Sequence, residues 1–328
     1  MKLDVSSTMI TRLPDSIGRL TRLVTLKISS TLIAELPSSI DGLQSLSSFH
    51  VSHNVIEERP TFIVNLESLR VFKLLGGDCF ATPWELPSII GRLRNLEELY
   101  ADYFTVLEGE VPPEIGELSL LRILSLKHTR IVKVPRTIGK LRCLQILDLE
   151  GCDEIQELPV LPDSLIILRL KSQLLQIVPN LSNLTNLVEL LLSDGSENGN
   201  PSSIIQTCDL QWIGKLSKLT KLKLCILDVP APPSELSSLP LLSQLTLSGL
   251  DLQTVRKLPS SLLELELKNV NSIDSLSLNL RNLIELRLFD TQVNEIHLDG
   301  LPQLEKLTVS ACELLEKLCV LSTIEKLK

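Results

Sequence analysis

Aromatic residues are scarce in this sequence. Two Trp, two Tyr and six Phe amount to 3% of 328 residues, while hydrophobic residues overall reach 44%. The core must therefore be aliphatic. Histidine occurs four times. His50 and His53 stand too isolated for a metal site, and His128 and His297 have no evident partner in sequence. The seven cysteines (Cys79, Cys143, Cys152, Cys208, Cys225, Cys312 and Cys319) form no CxxC pair and no crowded framework. They read as reduced thiols in a cytosol-like compartment. None has a paired base of the kind a nucleophile needs. A phosphate-binding GxxxxGK followed by Ser or Thr is missing, because Gly139-Lys140 and Gly214-Lys215 each precede Leu. The chain is accordingly not read as an enzyme, and no catalytic residue, cofactor or metal is expected.

Other absences exclude partners. Charge-free stretches such as Leu236–Leu250 are broken by Ser and Pro and are too short to span a bilayer, so no membrane association is expected. The start, MKLDVSSTMI, has no apolar segment of the signal-peptide kind. Two short sequons, at Asn180 and Asn183, are read as chance in a Ser/Thr-rich sequence. A formal net charge of -8 and a pI near 5.2 repel phosphate backbones, so no nucleic acid is expected.

What the sequence has is leucine: 74 residues of 328. They fall in register on LxxLxxLxL, as in LTRLVTLKISSTLIAELPSSIDG from Leu20 and LRCLQILDLEGCDEIQELPVLPD from Leu141. The strand anchor recurs at Leu3, Leu26, Phe49, Phe72, Leu99, Leu124 and Leu147, then at Leu168, Leu190, Leu222, Leu245, Leu265, Leu286 and Leu307. Most steps are 20 to 23 residues, with longer ones of 27, 25 and 32. That is the leucine-rich-repeat period. The expected fold is α/β: a leucine-rich-repeat solenoid, or horseshoe, with a concave parallel sheet of about fourteen short strands. The convex side should be irregular or briefly helical, because Leu13-Pro14, Leu36-Pro37, Leu86-Pro87, Val134-Pro135 and Leu158-Pro159 stop a regular helix. Thr8, Thr31, Asn54, Thr129, Cys152, Thr291 and Cys312, three residues past the second apolar position of the strand, are placed to satisfy backbone groups as the chain turns. One solenoid over 1–328 is expected, with an insertion loop at 193–211. Neither end carries a recognisable polar cap, which suggests a segment of a longer protein or a truncated product.

Function should lie on the face opposite the leucines. The residues after successive anchors, from Asp4, Lys27 and His50 to Glu266, Arg287 and Thr308, do not repeat. Variation over a constant framework is what a recognition surface requires, although unconstrained surface positions also vary. Phe80, Trp84, Tyr100, Tyr103 and Phe104 cluster in two units with long loops, either as interface anchors or as packing for those loops. Arg169, Lys171, Lys221 and Lys223 form a basic block, followed by an acidic one at Glu264, Glu266 and Glu285. The candidate partner-binding residues are Tyr100, Tyr103, Asp148, Arg169, Lys171, Lys221, Lys223, Glu266 and Arg287.

The segments ITRLPDSIGRLTRLVTLKISSTLIAELPSSIDGL and LSLKHTRIVKVPRTIGKLRCLQILDLEGCDEIQELPVLPDSLIILRL resemble the repeat region of plant intracellular immune receptors. The nearest class carries an N-terminal Toll/interleukin-receptor-like domain and a central nucleotide-binding domain. The shared features are LP-S/T-x-I-G-x-L, Thr or Cys at the turn after the strand, and LPxLPxSLxxL at Leu158 to Leu168. The resemblance implies recognition of a pathogen effector or guarded host protein, autoinhibition through the nucleotide-binding module of the same receptor, and a cytoplasmic or nuclear site of action. The family's nucleotide-binding residues and catalytic glutamate have no counterpart here. The alternatives are a stand-alone intracellular repeat scaffold and the repeat arm of a ubiquitin ligase.

Overall fold

A computed structural model describes residues 1–52, 65–76, 83–195, 209–227, 234–249, 258–269 and 273–319. His53, Asn54, Cys79, Phe80, Cys208 and most of the 193–211 segment lie outside these ranges. The chain divides into two compact units, Met1–Leu165 and Ile166–Lys328.

Fourteen short parallel strands, in chain order, make the main sheet, seven from each unit. In the first unit they are Lys2–Asp4, Thr25–Lys27, Ser48–Ser52, Val71–Leu75, Glu98–Tyr100, Ile123–Ser125 and Ile146–Glu150. Those of the second are Ile167–Lys171, Glu189–Ser193, Lys221–Cys225, Gln244–Ser248, Glu264–Lys268, Glu285–Phe289 and Lys306–Ser310. The anchors stand opposite one another: Leu3, Leu26, Phe49, Phe72, Leu99, Leu124 and Leu147 in the first unit. Leu168, Leu190, Leu222, Leu245, Leu265, Leu286 and Leu307 do the same in the second. All anchors from Leu26 to Leu286 are exposed by 2% or less. Leucines stack on leucines from repeat to repeat, so each unit's core is a sum of neighbour contacts. The Phe49 and Phe72 rings stack at 5.9 Å.

The turn after most of the described strands has a common conformation. Ser7, Ser30, Tyr103, His128, Asn269, Asp290 and Ala311 have φ between +46° and +58°, and Gly76, Gly151 and Gly249 take the same place four residues past the anchor. Left-handed backbone costs a residue with a Cβ about 1–2 kcal/mol. Here the strained N–H is aimed at the next repeat: Ser30 N donates to Ser52 O at 2.7 Å, and Tyr103 N to Lys127 O at 2.6 Å. The side chain that follows seals the turn as expected. Thr8 Oγ1 donates to Val5 O at 2.7 Å, Thr129 Oγ1 to Leu126 O at 2.8 Å, and Cys152 Sγ reaches Leu126 O of the preceding repeat at 3.0 Å. Burial pushes the Cys152 thiol up to about 11, against a smaller opposing pull from Thr129.

The return segments begin with prolines. Pro14, Pro37, Pro87, Pro112 and Pro135 are extended, with φ from -65° to -73°, and each opens a five-residue 3-10 turn that buries one isoleucine: Ile17, Ile40, Ile90, Ile115 and Ile138. The glycine one or two residues after the isoleucine lets neighbouring turns stack. A Cβ at Gly42 would strike the backbone carbonyl of Gly18, and one at Gly18 that of Ser39. In the late repeats, where the LP signal is missing, the return segment is extended instead. Ile273–Ser277, Val293–His297 and Lys317–Cys319 form a three-stranded parallel sheet; in the first unit Glu108–Glu110 pairs with Arg130–Lys133 just ahead of the prolines Pro112 and Pro135. These small sheets depart from the expected irregular side. Backbone N–H groups that no proline removes are free to pair with the neighbouring repeat.

Candidate protein-binding face

Residues immediately before and after each anchor point away from the leucines, by the alternation of a strand. In the first unit, Lys73 Nζ lies 4.2 Å above the Tyr100 ring. The Tyr100 hydroxyl donates to Glu98 Oε2 at 3.2 Å. Burial, then the Glu98 carboxylate, push the Tyr100 phenol up to about 12. His50 accepts or donates at 2.9 Å to Ser48 Oγ, and its pKa is lowered by burial and then by Lys73 and Lys27. Tyr103, 57% exposed, stacks on His128 with ring centroids 4.8 Å apart. Both occupy left-handed turn positions of adjacent repeats, which throws their rings outward. His128 thus has a partner that its sequence neighbours did not reveal.

The aromatic cluster divides. Trp84 and Phe104 are exposed by 5% and 2% and pack edge to face at 5.5 Å within the core. Tyr100 and Tyr103 remain on the surface. Trp212, on the turn Gln211–Lys215, is likewise buried.

Asp148 corrects the expectation of a uniformly exposed lane. It is 2% exposed, its Oδ2 accepts from Lys127 Nζ at 3.1 Å and its Oδ1 from Glu150 N at 3.2 Å. Two strands away, Asp102 Oδ1 accepts from Ser125 Oγ at 2.6 Å and Lys127 N at 3.0 Å. Ser125 and Leu191, also one residue past their anchors, are buried as well. A carboxylate between two lysine-bearing or hydroxyl-bearing neighbours is drawn onto the sheet, and the sheet face in this part of the first unit is a network of polar side chains.

In the second unit the basic block is not bare. Glu189, a residue that the sequence pattern did not single out, stands opposite Lys221 and receives Arg169 Nε at 2.9 Å and Lys221 Nζ at 3.7 Å. It occupies the position before its anchor, so the strand alternation itself was the available signal. Lys171 ends the strand Ile167–Lys171 opposite Ser193. The acidic block is likewise interleaved with cations. Glu266 meets Lys268 at 2.8 Å and Arg287 at 3.4 Å, and Glu285 meets Arg287 at 2.8 Å and Lys306 at 2.6 Å. The hydrogen bond from Lys306 holds the Glu285 carboxyl below the usual range, and Glu285 in turn raises Arg287.

Lys221, Lys223, Glu266 and Arg287 come together around one groove of about 360 Å³. Lys221 and Lys223 form one wall, Glu264, Glu266 and Glu285 the other, and the shorter Gln244 and Thr246 the floor between them. Four strands separated by about 4.8 Å give it a width of roughly 14 Å. A groove with lysines along one side and carboxylates interleaved with Arg287 along the other can orient a chain segment that carries both signs.

These features define a leucine-rich-repeat solenoid, a protein-interaction module, and comparison with known proteins agrees. Residues 2–101 match the family described as leucine-rich repeat region. The chain is 38% identical over 82 residues to TMV resistance protein N of Nicotiana glutinosa, covering 25% of this chain and 7% of that protein. It is 30% identical over 228 residues to Protein SUPPRESSOR OF npr1-1, CONSTITUTIVE 1 of Arabidopsis thaliana, covering 68% of this chain and 14% of that protein. The chain therefore spans only a small part of the length of these relatives. The Arabidopsis receptor kinase HAESA, solved with the peptide hormone IDA and the co-receptor SERK1, shares the fold with a TM-score of 0.69 at 22% identity, over 97% of this chain and 57% of that one. The resemblance to plant resistance proteins holds. Among the described residues, no helix is long and apolar enough to cross a membrane.

Proposed function

We propose that this chain is the recognition segment of an intracellular plant immune receptor, and that it selects a pathogen effector or guarded host protein through the exposed face of its sheet. A second role follows from the same reading: contacts with the nucleotide-binding module of the same receptor hold that receptor inactive. The supporting observation is the contrast between a framework repeated fourteen times and a face that differs at every strand, most sharply in the groove between Lys221/Lys223 and Glu264/Glu266. The residues assigned to partner binding are Tyr100, Tyr103, Arg169, Lys171, Lys221, Lys223, Glu266 and Arg287, together with the 193–211 segment. Asp148 contributes by positioning Lys127. The site of action is cytoplasmic or nuclear.

The test exchanges this repeat segment between two related full-length receptors of different specificity and scores cell death on effector co-expression. Specificity should travel with the repeat segment. If it stays with the remainder of the receptor, recognition is lost as a function and an inhibitory or scaffolding role is left.

A further inference from the structure

Away from the main sheet, three side chains of metal-binding type converge where the repeat framework has no use for them. The strands Val293–His297 and Lys317–Cys319 run parallel, with His297 opposite Cys319 and Glu295 opposite Lys317. Alternation along the strand puts Glu295 and His297 on one face, and the register brings Cys319 beside them. One ligand atom from each of the three lies within 4.8 Å of the other two, and all three residues are half-buried. His297 Nε2 is 3.5 Å from Glu295 Oε2. Metal bonds of about 2.0–2.3 Å in a tetrahedron separate ligand atoms by roughly 3.3–3.8 Å. The imidazole and carboxylate already meet that spacing. The thiol needs a movement of about 1 Å, which rotation about side-chain torsions supplies.

We propose that Glu295, His297 and Cys319 form a binding site for a thiophilic divalent transition metal, with Zn²⁺ as the first choice. A thiolate with an imidazole suits zinc and excludes magnesium and calcium, which take oxygen ligands in larger number. Three protein ligands leave the fourth position to water or to a group from a bound partner. Thiolate and carboxylate together neutralise the ion. Lys317 is its competitor: Nζ lies 3.3 Å from Glu295 Oε1, and that hydrogen bond raises the Lys317 pKa. Binding would tie two consecutive repeats together where no LP turn does so.

The full chain is titrated with Co²⁺, a spectroscopic substitute for Zn²⁺, followed by Zn²⁺ in competition. The expected result is a thiolate-to-cobalt charge-transfer band that saturates at a single equivalent and is displaced by zinc. Cys319→Ser should abolish the band, while Cys143→Ser, which removes an exposed thiol elsewhere, should leave it intact. Loss of an outer-shell partner alone weakens metal sites roughly 10–100-fold, so His297→Ala and Glu295→Gln should cost at least the upper figure. Lys317→Gln should tighten binding, a gain that a misfolded variant cannot produce. Affinity should fall as the pH is lowered, because the ligands bind in their deprotonated forms. A band that survives Cys319→Ser, one lost with Cys143→Ser, or no band at saturating cobalt would overturn the site.

Discussion

Neighbouring residues on one strand have opposite fates, and Leu147 and Asp148 show it. Leu147 is fully buried in the leucine stack, so Leu147→Asp puts an unpaired carboxylate in a dry core and should cost more than about 4 kcal/mol. Asp148→Ala removes the shorter of Lys127's two carboxylate contacts and the acceptor of the Glu150 N–H, and should cost about 1–3 kcal/mol. Urea unfolding followed by circular dichroism checks both. Equal losses would place the strand in the wrong register. Two reactivity predictions belong at this scale. Because burial raises the Cys152 thiol to about 11, the residue stays protonated at pH 8, and iodoacetamide should label exposed Cys143 while sparing Cys152 in peptide maps of the native chain. In a Tyr103→Phe variant, Tyr100 is the remaining tyrosine, and its phenolate absorbance should rise near pH 12. Glu98→Gln should bring that midpoint down but not to the ordinary value, since burial is the larger cause. The sign follows: a phenol raised in the folded state contributes stability below pH 10 that disappears as pH climbs through 12.

At the scale of the element, the repeat unit is a strand, a left-handed turn and a proline-led return. The strand and the proline were legible because both write a residue type into every unit. The left-handed turn was not, since Ser, Tyr, His, Asn, Asp, Ala and Gly all occupy it. Its conformation is imposed by the N–H that must reach the next repeat, and a residue of any type pays that strain when the hydrogen bond is secured. Stacked 3-10 turns predict a graded effect of adding a methyl group. Gly42→Ala meets rigid backbone and should destabilise by about 1–3 kcal/mol, whereas Gly139→Ala has 3.1 Å to Val160 O and should cost less. Thermal melts of the two variants decide it. Pairs of return strands in the late repeats escaped the sequence pattern because short alternating runs such as VNEIH look like loops until a neighbouring strand is present.

For the molecule as a whole, each strand is held by the repeats beside it, so protection should follow position in the stack. The anchors Leu3 and Leu307 are only half-buried, while those between them are sealed. Hydrogen exchange should therefore be fastest at Lys2–Asp4 and Lys306–Ser310 and slowest near the middle of each unit. Uniform protection along the chain would contradict a nearest-neighbour architecture. Charge is distributed with similar economy. Lys221, Lys268, Arg287 and Lys306 on the sheet face sit in ion pairs, and partner binding through the Lys221–Glu266 groove should weaken with salt less steeply than a bare basic patch would.

The sequence by itself determined the period, the fourteen anchors, the parallel sheet, the turn-sealing Thr and Cys and the proline-led returns, because each is a local requirement repeated until it is unmistakable. Only the tertiary structure decided which exposed positions are sunk into the sheet, that Glu189 pairs with Arg169 and Lys221 of the basic block, and that Tyr103 meets His128. The same holds for the gathering of Glu295, His297 and Cys319. These are contacts between residues some twenty positions apart, one repeat to the next. A side chain at such a distance has no signature in its own neighbourhood, and its burial or charge is settled by whatever the adjoining strand presents.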